Sequence, residues 1–237
     1  MKKILILGSI FGGCAAAFLL SYAYISQPSV ATPNLSKRPP IDITALTAKA
    51  AHGDAQAQAS LGDAYVNGDG VTNSYAEAAK WYRLAADQTN AAGQFGLGQL
   101  YEAGRGVPKD QTQAIKFYRE AANQGLAGAQ YTLGFLYEGG RGLPVNQTEA
   151  AKWYLKAAEQ GDPLAQYDIG QRYDLGVGVA VDRVEALKWF ILASNQGQAD
   201  SVARRDRVKH ALSRSEIAEA ERRATAISVK LMANPKN

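Results

Sequence analysis

The sequence predicts an all-α solenoid built from helix-turn-helix repeats. Three observations carry this: a 36-residue period from Ala55 onward, apolar spacing of three and four residues within each unit, and glycine pairs at one fixed place in every unit. Gln58 returns as Gln94, Gln130 and Gln166, Gly62 as Gly98, Gly134 and Gly170, and Tyr65 as Tyr101, Tyr137 and Tyr173. The pair Trp81-Tyr82 returns as Phe117-Tyr118, Trp153-Tyr154 and Trp189-Phe190, and no insertion breaks the phase between residues 55 and 198. A single helical hairpin cannot cover its own apolar face, so such units are stable only when stacked.

Residues 1–26 read as a signal peptide or an N-terminal membrane anchor. Lys2 and Lys3 form a positive head before an uncharged apolar run from Ile4 to Ile25, a pattern that enters a membrane with the lysines left on the cytoplasmic side. Ser21-Tyr22-Ala23 sets small residues where cleavage after Ala23 would need them. Against cleavage, the run is about as long as the ~20 residues that span a bilayer. Lipidation at Cys14, the chain's one cysteine, fits less well: Phe11 stands where leucine is typical, and the apolar run continues to Leu20. Each alternative puts residues 41–237 outside the inner membrane, whether periplasmic, anchored or secreted. Pro28, Pro33, Pro39 and Pro40 make residues 27–40 an extended tether.

Residues 41–54 are a partial unit, because Gly53 lies two periods before Gly125. Residues 55–198 hold four units of two helices each. In the first helix Gln58, Leu61, Gly62 and Tyr65 share one face. A glycine there costs about 1 kcal/mol relative to alanine, so it predicts close approach of the partner helix. The helix stops at Gly68-Asp69-Gly70, where glycine adopts the left-handed backbone. A capping box opens each second helix, at Ser74/Glu77, Asp110/Gln113, Asn146/Glu149 and Asp182/Glu185. Gly125, Gly161 and Gly197 close three of these helices, and Thr89 in the same slot predicts a looser end in the first unit. His52 falls at a helix C-terminus, where it interacts with the last carbonyls. Residues 199–237 form capping helices: one to about Ala211, then a basic amphipathic helix opened by Ser213/Glu216.

Charge narrows the function. The net charge of +4 arises at the two ends, while residues 41–203 carry 13 basic and 18 acidic side chains. That body lacks the basic stripe that neutralises phosphates, which excludes a nucleic-acid partner. Without a cysteine in the body there is no thiol for a disulfide, a metal site or a nucleophile, and the two histidines lie far apart. The sequence contains no Ser-x-x-Lys, Gly-x-Ser-x-Gly or His-Glu-x-x-His. Gly104-Arg105-Gly106 lacks the preceding strand and the Gly-Lys-Ser/Thr ending of a phosphate loop, and reads as a helix stop, with Arg105 and Arg141 as solvated charges on equivalent loops. No enzyme chemistry and no cofactor are expected.

The run Ala-x-Ala-Gln-x-x-Leu-Gly-x-x-Tyr-x-x-Gly-x-Gly-Val, followed by Ala-x-x-Trp-Tyr-x-x-Ala-Ala, resembles the Sel-1-like repeat family. That family is related to tetratricopeptide repeats. The resemblance covers about residues 41–215 and is best over Ala91–Leu126 and Ala127–Asp162. It implies a right-handed α/α superhelix that serves as an adaptor in bacterial signalling, envelope assembly, secretion or host contact. It also carries an alternative, since some cysteine-rich members are β-lactam-binding or β-lactamase-like. Those members have a disulfide in each repeat, which this body lacks.

If tetratricopeptide geometry carries over, the face one residue beyond the core set lines a concave groove. Its expected partner-binding residues are Phe95, Gln99 and Glu102, then Tyr131, Phe135 and Glu138, then Tyr167, Gln171 and Asp174. An aromatic row bordered by acids suits a protein segment, because rigid rings supply contact area at low entropic cost. The alternative is that these rings pack between adjacent units. Repetition by itself accounts for the acid row. The function expected is a cell-envelope scaffold or regulatory adaptor, with the alternative of a protein that binds or hydrolyses β-lactams or cell-wall fragments.

Overall fold

The computed structural model describes residues 42–233, all within the second of the two units into which the chain divides, 41–237. The expected leader or anchor and the proline-rich tether lie outside the described residues. Helix α1 is Ile43–Ala51. Four hairpins follow, each of two 13-residue helices: α2 (Ala55–Asn67) with α3 (Tyr75–Asp87), and α4 (Ala91–Ala103) with α5 (Gln111–Asn123). The others are α6 (Ala127–Gly139) with α7 (Gln147–Glu159), and α8 (Pro163–Leu175) with α9 (Arg183–Asn195). The chain ends in α10 (Ala199–His210) and α11 (Arg214–Ala233). Among the described residues there is no strand.

Each hairpin closes because an aromatic ring of the second helix packs directly against a glycine of the first. A Cβ on Gly62 would stand 2.5 Å from the Tyr82 ring, and one on Gly98, Gly134 or Gly170 would stand 2.8, 2.7 or 2.9 Å from Tyr118, Tyr154 or Phe190. Leu61, Leu97, Leu133 and Ile169 are fully buried beside these rings, each contributing roughly 1.5–3 kcal/mol by leaving water. The mid-helix glycine thus has its packing reason.

The repeating glutamine forms a buried polar spine that its place on an apolar face did not announce. The Nε2 groups of Gln58, Gln130 and Gln166 donate to the Ala50, Ala122 and Ala158 carbonyls, at the end of the preceding unit's second helix. Gln94 donates instead to Glu120. The Oε1 of all four accepts from a glutamine closing the unit's own second helix, Gln88, Gln124, Gln160 or Gln196. Gln58, Gln130 and Gln166 therefore each tie three helices together, Gln94 ties two, and each side-chain amide is paired.

The capping boxes are only half realised within the repeats. Ser74, Asp110, Asn146 and Asp182 accept from the N–H three residues on, as expected. Their own N–H groups, however, donate at 2.9 Å to the carbonyls of Tyr65, Tyr101, Tyr137 and Tyr173 near the end of the first helix. That bond locks the turn of each hairpin and leaves the acid nothing to reach back for. Glu77 and Glu149 pair instead with Lys80 at 2.6 Å and Lys152 at 2.7 Å, and Glu185 pairs with Lys188. Only Ser213/Glu216 makes both halves, with Ser213 N–H on Glu216 at 2.8 Å and Glu216 N–H on Ser213 Oγ at 3.3 Å.

The end of the first unit's second helix is not loose. Thr89 takes the left-handed backbone at φ 60° and keeps the bonds that its glycine counterparts make: Thr89 N–H to Ala86 at 2.8 Å and Asn90 N–H to Ala85 at 3.0 Å. These local bonds hold a β-branched residue where glycine would be unstrained. His52 behaves as expected, its Nδ1–H donating to the Ala48 carbonyl at 2.7 Å.

The stack stops being regular at its C-terminal end. Helix α10 stands where a fifth first helix belongs, but α11 packs chiefly along α9, with an ion pair to α10 between Glu221 and Lys209 at 2.9 Å. Ile217, Ala220, Ala224 and Ile227 face the core clusters of the last two units, and Leu231 reaches the Gly161 turn at the end of α7. Arg223 secures the crossing through Glu185 at 2.6 Å. Between α9, α10 and α11 lies a cavity of about 220 Å³ whose lining includes Leu187, Ile191, Arg205 and Glu221.

Candidate functional site

First helices approach first helices at two junctions, α2 on α4 and α8 on α10, while second helices between residues 55 and 198 have no comparable contact. On the first helices, Phe95, Tyr131 and Tyr167 recur one period apart and remain partly accessible. Each ring tilts against the second helix of its own unit, at 5.6 Å from Tyr118, 5.3 Å from Tyr154 and 6.0 Å from Phe190 between centroids. Their ring-to-ring packing is thus inside a unit, and across a unit boundary the Tyr131 hydroxyl donates to Asp168 at 3.1 Å.

The acids bordering this row are already engaged. Glu102 and Glu138 each accept from a buried phenol at 2.7 Å, those of Tyr118 and Tyr154. In the first unit Asp63, one turn earlier, takes that part for Tyr82 at 2.6 Å. Burial, reinforced by the nearby carboxylates, raises the Tyr118, Tyr131 and Tyr154 phenols well above their ordinary range, so they stay protonated donors. Phe190 has no hydroxyl, and the corresponding Asp174 pairs instead with Arg207 and, at 3.9 Å, with Arg183. Phe135 lies under the Arg141 guanidinium at 4.3 Å, and Arg105 covers Tyr75 at 5.1 Å. These two arginines are folded onto rings rather than held in solvent. Gln99 is partly accessible, and so is Gln171, which borders a cavity.

That cavity, of about 120 Å³, lies at the boundary of the third and fourth units and is lined by Glu138, Asp168, Gln171, Arg172, Leu175 and Val177. Arg172 occupies a core position, its side chain 4% exposed, where the earlier units bury Ala64, Leu100 and Leu136. Its guanidinium meets Glu138 at 2.8 Å and Gln147 at 2.9 Å and stacks over Tyr154 at 5.0 Å. Asp168 stands where the other units have Ser60, Gly96 and Thr132. Burial, then the charge of Glu138, pushes its carboxyl up to about 7. Asp168, Arg172, Leu175 and Val177 carry no periodic signal; each differs from its counterparts in the other three units, and that departure is the mark they leave in the sequence.

Among the described residues, no group of three or more His, Cys, Asp or Glu is placed to hold a metal, and no helix is long and apolar enough to cross a membrane. The Sel1 repeat family matches residues 55–90, 91–126, 127–162 and 163–198, well over half of the chain. The chain belongs to the Sel1 repeat family. Members of this family are generally protein-interaction scaffolds. A Sel1 repeat protein from Oxalobacter formigenes is similar in structure, with a TM-score of 0.67, 32% identity, and coverage of 70% of this chain and 48% of that one. So is a protective antigen of uropathogenic Escherichia coli strains displaying an SLR fold, with a TM-score of 0.68, 30% identity, and coverage of 90% and 45%. The Sel1 repeat chain thus spans less than half the length of both. No curated protein matches it.

Proposed function

We propose that this Sel1 repeat protein is an adaptor of the bacterial cell envelope that holds a segment of another protein along the face of its first helices. The observation that carries the reading is the row of Phe95, Tyr131 and Tyr167, partly accessible and one period apart on successive first helices. The rings are held rigid from behind by Tyr118, Tyr154 and Phe190, so a partner can bury them with little loss of side-chain freedom. The general role of the family as a protein-interaction scaffold supports the same reading. Export rests on Lys2, Lys3 and the uncharged run from Ile4 to Ile25, and similarity to a protective antigen is in keeping with it.

A photo-crosslinking amino acid placed at Gln99 or Gln171 of the full chain, in its own cell, is expected to trap a discrete partner. The same group at exposed Lys116 or Lys152, on second helices, is expected not to. Equal trapping from both sides, or none from Gln99 and Gln171, would refute the reading. Tyr131→Ala is expected to weaken capture with helicity retained. Fractionation with and without a signal-peptidase inhibitor tests location: a cytosolic chain of unaltered mass would remove the envelope assignment.

A further inference from the structure

The cavity between the third and fourth units keeps one acid of the repeat, Glu138, and departs from the repeat at three other positions. Asp168 replaces Ser60, Gly96 and Thr132, Arg172 replaces Ala64, Leu100 and Leu136, and Val177 stands where two other units carry Arg105 and Arg141. The other three units lack these residues, so the repeat pattern as such does not require them. Shielding a carboxyl and a guanidinium from water is unfavourable unless they are matched. The match is incomplete: Arg172 and Glu138 satisfy each other at 2.8 Å, while Asp168 has the neutral phenol of Tyr131 as its donor. Once ionised, the cavity holds one unbalanced negative charge. Beside it, Leu175 is 59% and Val177 is 37% exposed, an apolar rim facing water. A volume of about 120 Å³ falls short of the roughly 300 Å³ of small-molecule pockets and suits a single long side chain.

We propose that this cavity receives a lysine or arginine side chain from the bound partner segment, its stem along Leu175 and Val177 and its cationic head on Asp168. The inference rests on the adaptor reading and adds the chemistry of one anchor position. The head supplies the charge that Asp168 lacks, and the methylenes cover the exposed rim, the division of labour such side chains favour. Tyr131 and Glu138 of α6, Arg172 of α8, Asp162 at its N-cap and Tyr154 of α7 are the groups surrounding the carboxyl. Since burial raises Asp168 toward neutrality, bound cation and proton compete for it.

The test uses the full chain, isotope-labelled, with n-butylammonium as probe and n-butyrate as control, followed by amide NMR shifts. Butylammonium is expected to give saturable shifts confined to residues 168–177 and the facing part of α6, and butyrate none. Apparent affinity is expected to rise about tenfold between about pH 6 and pH 8, as the competent ionised fraction grows. Asp168→Thr, which restores the residue of the third unit, is expected to weaken binding by about 10- to 100-fold, the worth of a charge-assisted hydrogen bond. Val177→Arg, a substitution at an exposed site, is expected to block the cavity with its own cation while leaving the fold intact. Shifts spread over the surface, an equal response to butyrate, or affinity unchanged in both variants would overturn the proposal. If crosslinks from Gln99 and Gln171 persist while butylammonium fails, only the cavity assignment falls. If the crosslinks vanish while the localised shifts remain, the adaptor reading falls and the cation site stands.

Discussion

Replacing Asp168 by asparagine isolates the cost of one shielded carboxyl at the junction of the third and fourth units. Its pKa rises from 3.8 to about 7, with desolvation the leading cause and the neighbouring Glu138 charge next. Folding therefore tightens proton binding. The stabilising contribution of the protonated group is complete below pH 3.8 and is lost as pH rises through about 7. Across that window the change is at most about 4 kcal/mol, at about 1.4 kcal/mol per pKa unit. The carboxyl borders a cavity open to solvent, and screening there brings the expectation to about 2 kcal/mol. Asparagine keeps the acceptor for the Tyr131 hydroxyl and carries no charge at any pH. Thermal melts of both proteins should differ little near about pH 4, with the variant higher by about 4–8 °C near pH 8, for a body of this size. Other titrating groups are common to both proteins and cancel in the difference. A difference that stays flat with pH, or one in which the variant loses ground as pH rises, would refute the reasoning.

Further outcomes follow from the packing. Thr89→Gly should stabilise the chain by about 1 kcal/mol, raising its melting temperature by about 2–4 °C, because it removes left-handed strain from an exposed turn. Gly134→Ala should destabilise by about 1–3 kcal/mol in denaturant melts, since its Cβ would press on the Tyr154 ring, 2.7 Å away. Gln130→Leu should cost about 1–3 kcal/mol by removing two hydrogen bonds, the one it donates to the Ala122 carbonyl and the one it accepts from Gln160, and urea melts would show it. Purified protein should leave nitrocefin intact; turnover proportional to enzyme would revive the β-lactamase-like alternative.

Periodicity alone settled the architecture. Apolar residues three and four apart, a glycine facing an aromatic ring, and paired glycines at helix ends each express a local rule, and a rule repeated four times leaves little ambiguity. Sequence reading also picked out the aromatic row and the acids beside it, since spacing determines which residues share a helix face. What spacing cannot convey is which partner a side chain chooses once helices meet. That Gln130 bridges three helices, that the N–H of Asn146 prefers the Tyr137 carbonyl to Glu149, and that Arg141 folds onto Phe135 are choices made among competing neighbours in three dimensions. The cavity at Asp168 belongs to the same class: its residues stand out in the sequence only as irregularities, and only the stacking of α6 on α7 and α8 brings Glu138, Arg172 and Asp168 around one space. A repeat reports the forces common to all units, whereas a site arises where one unit departs from them.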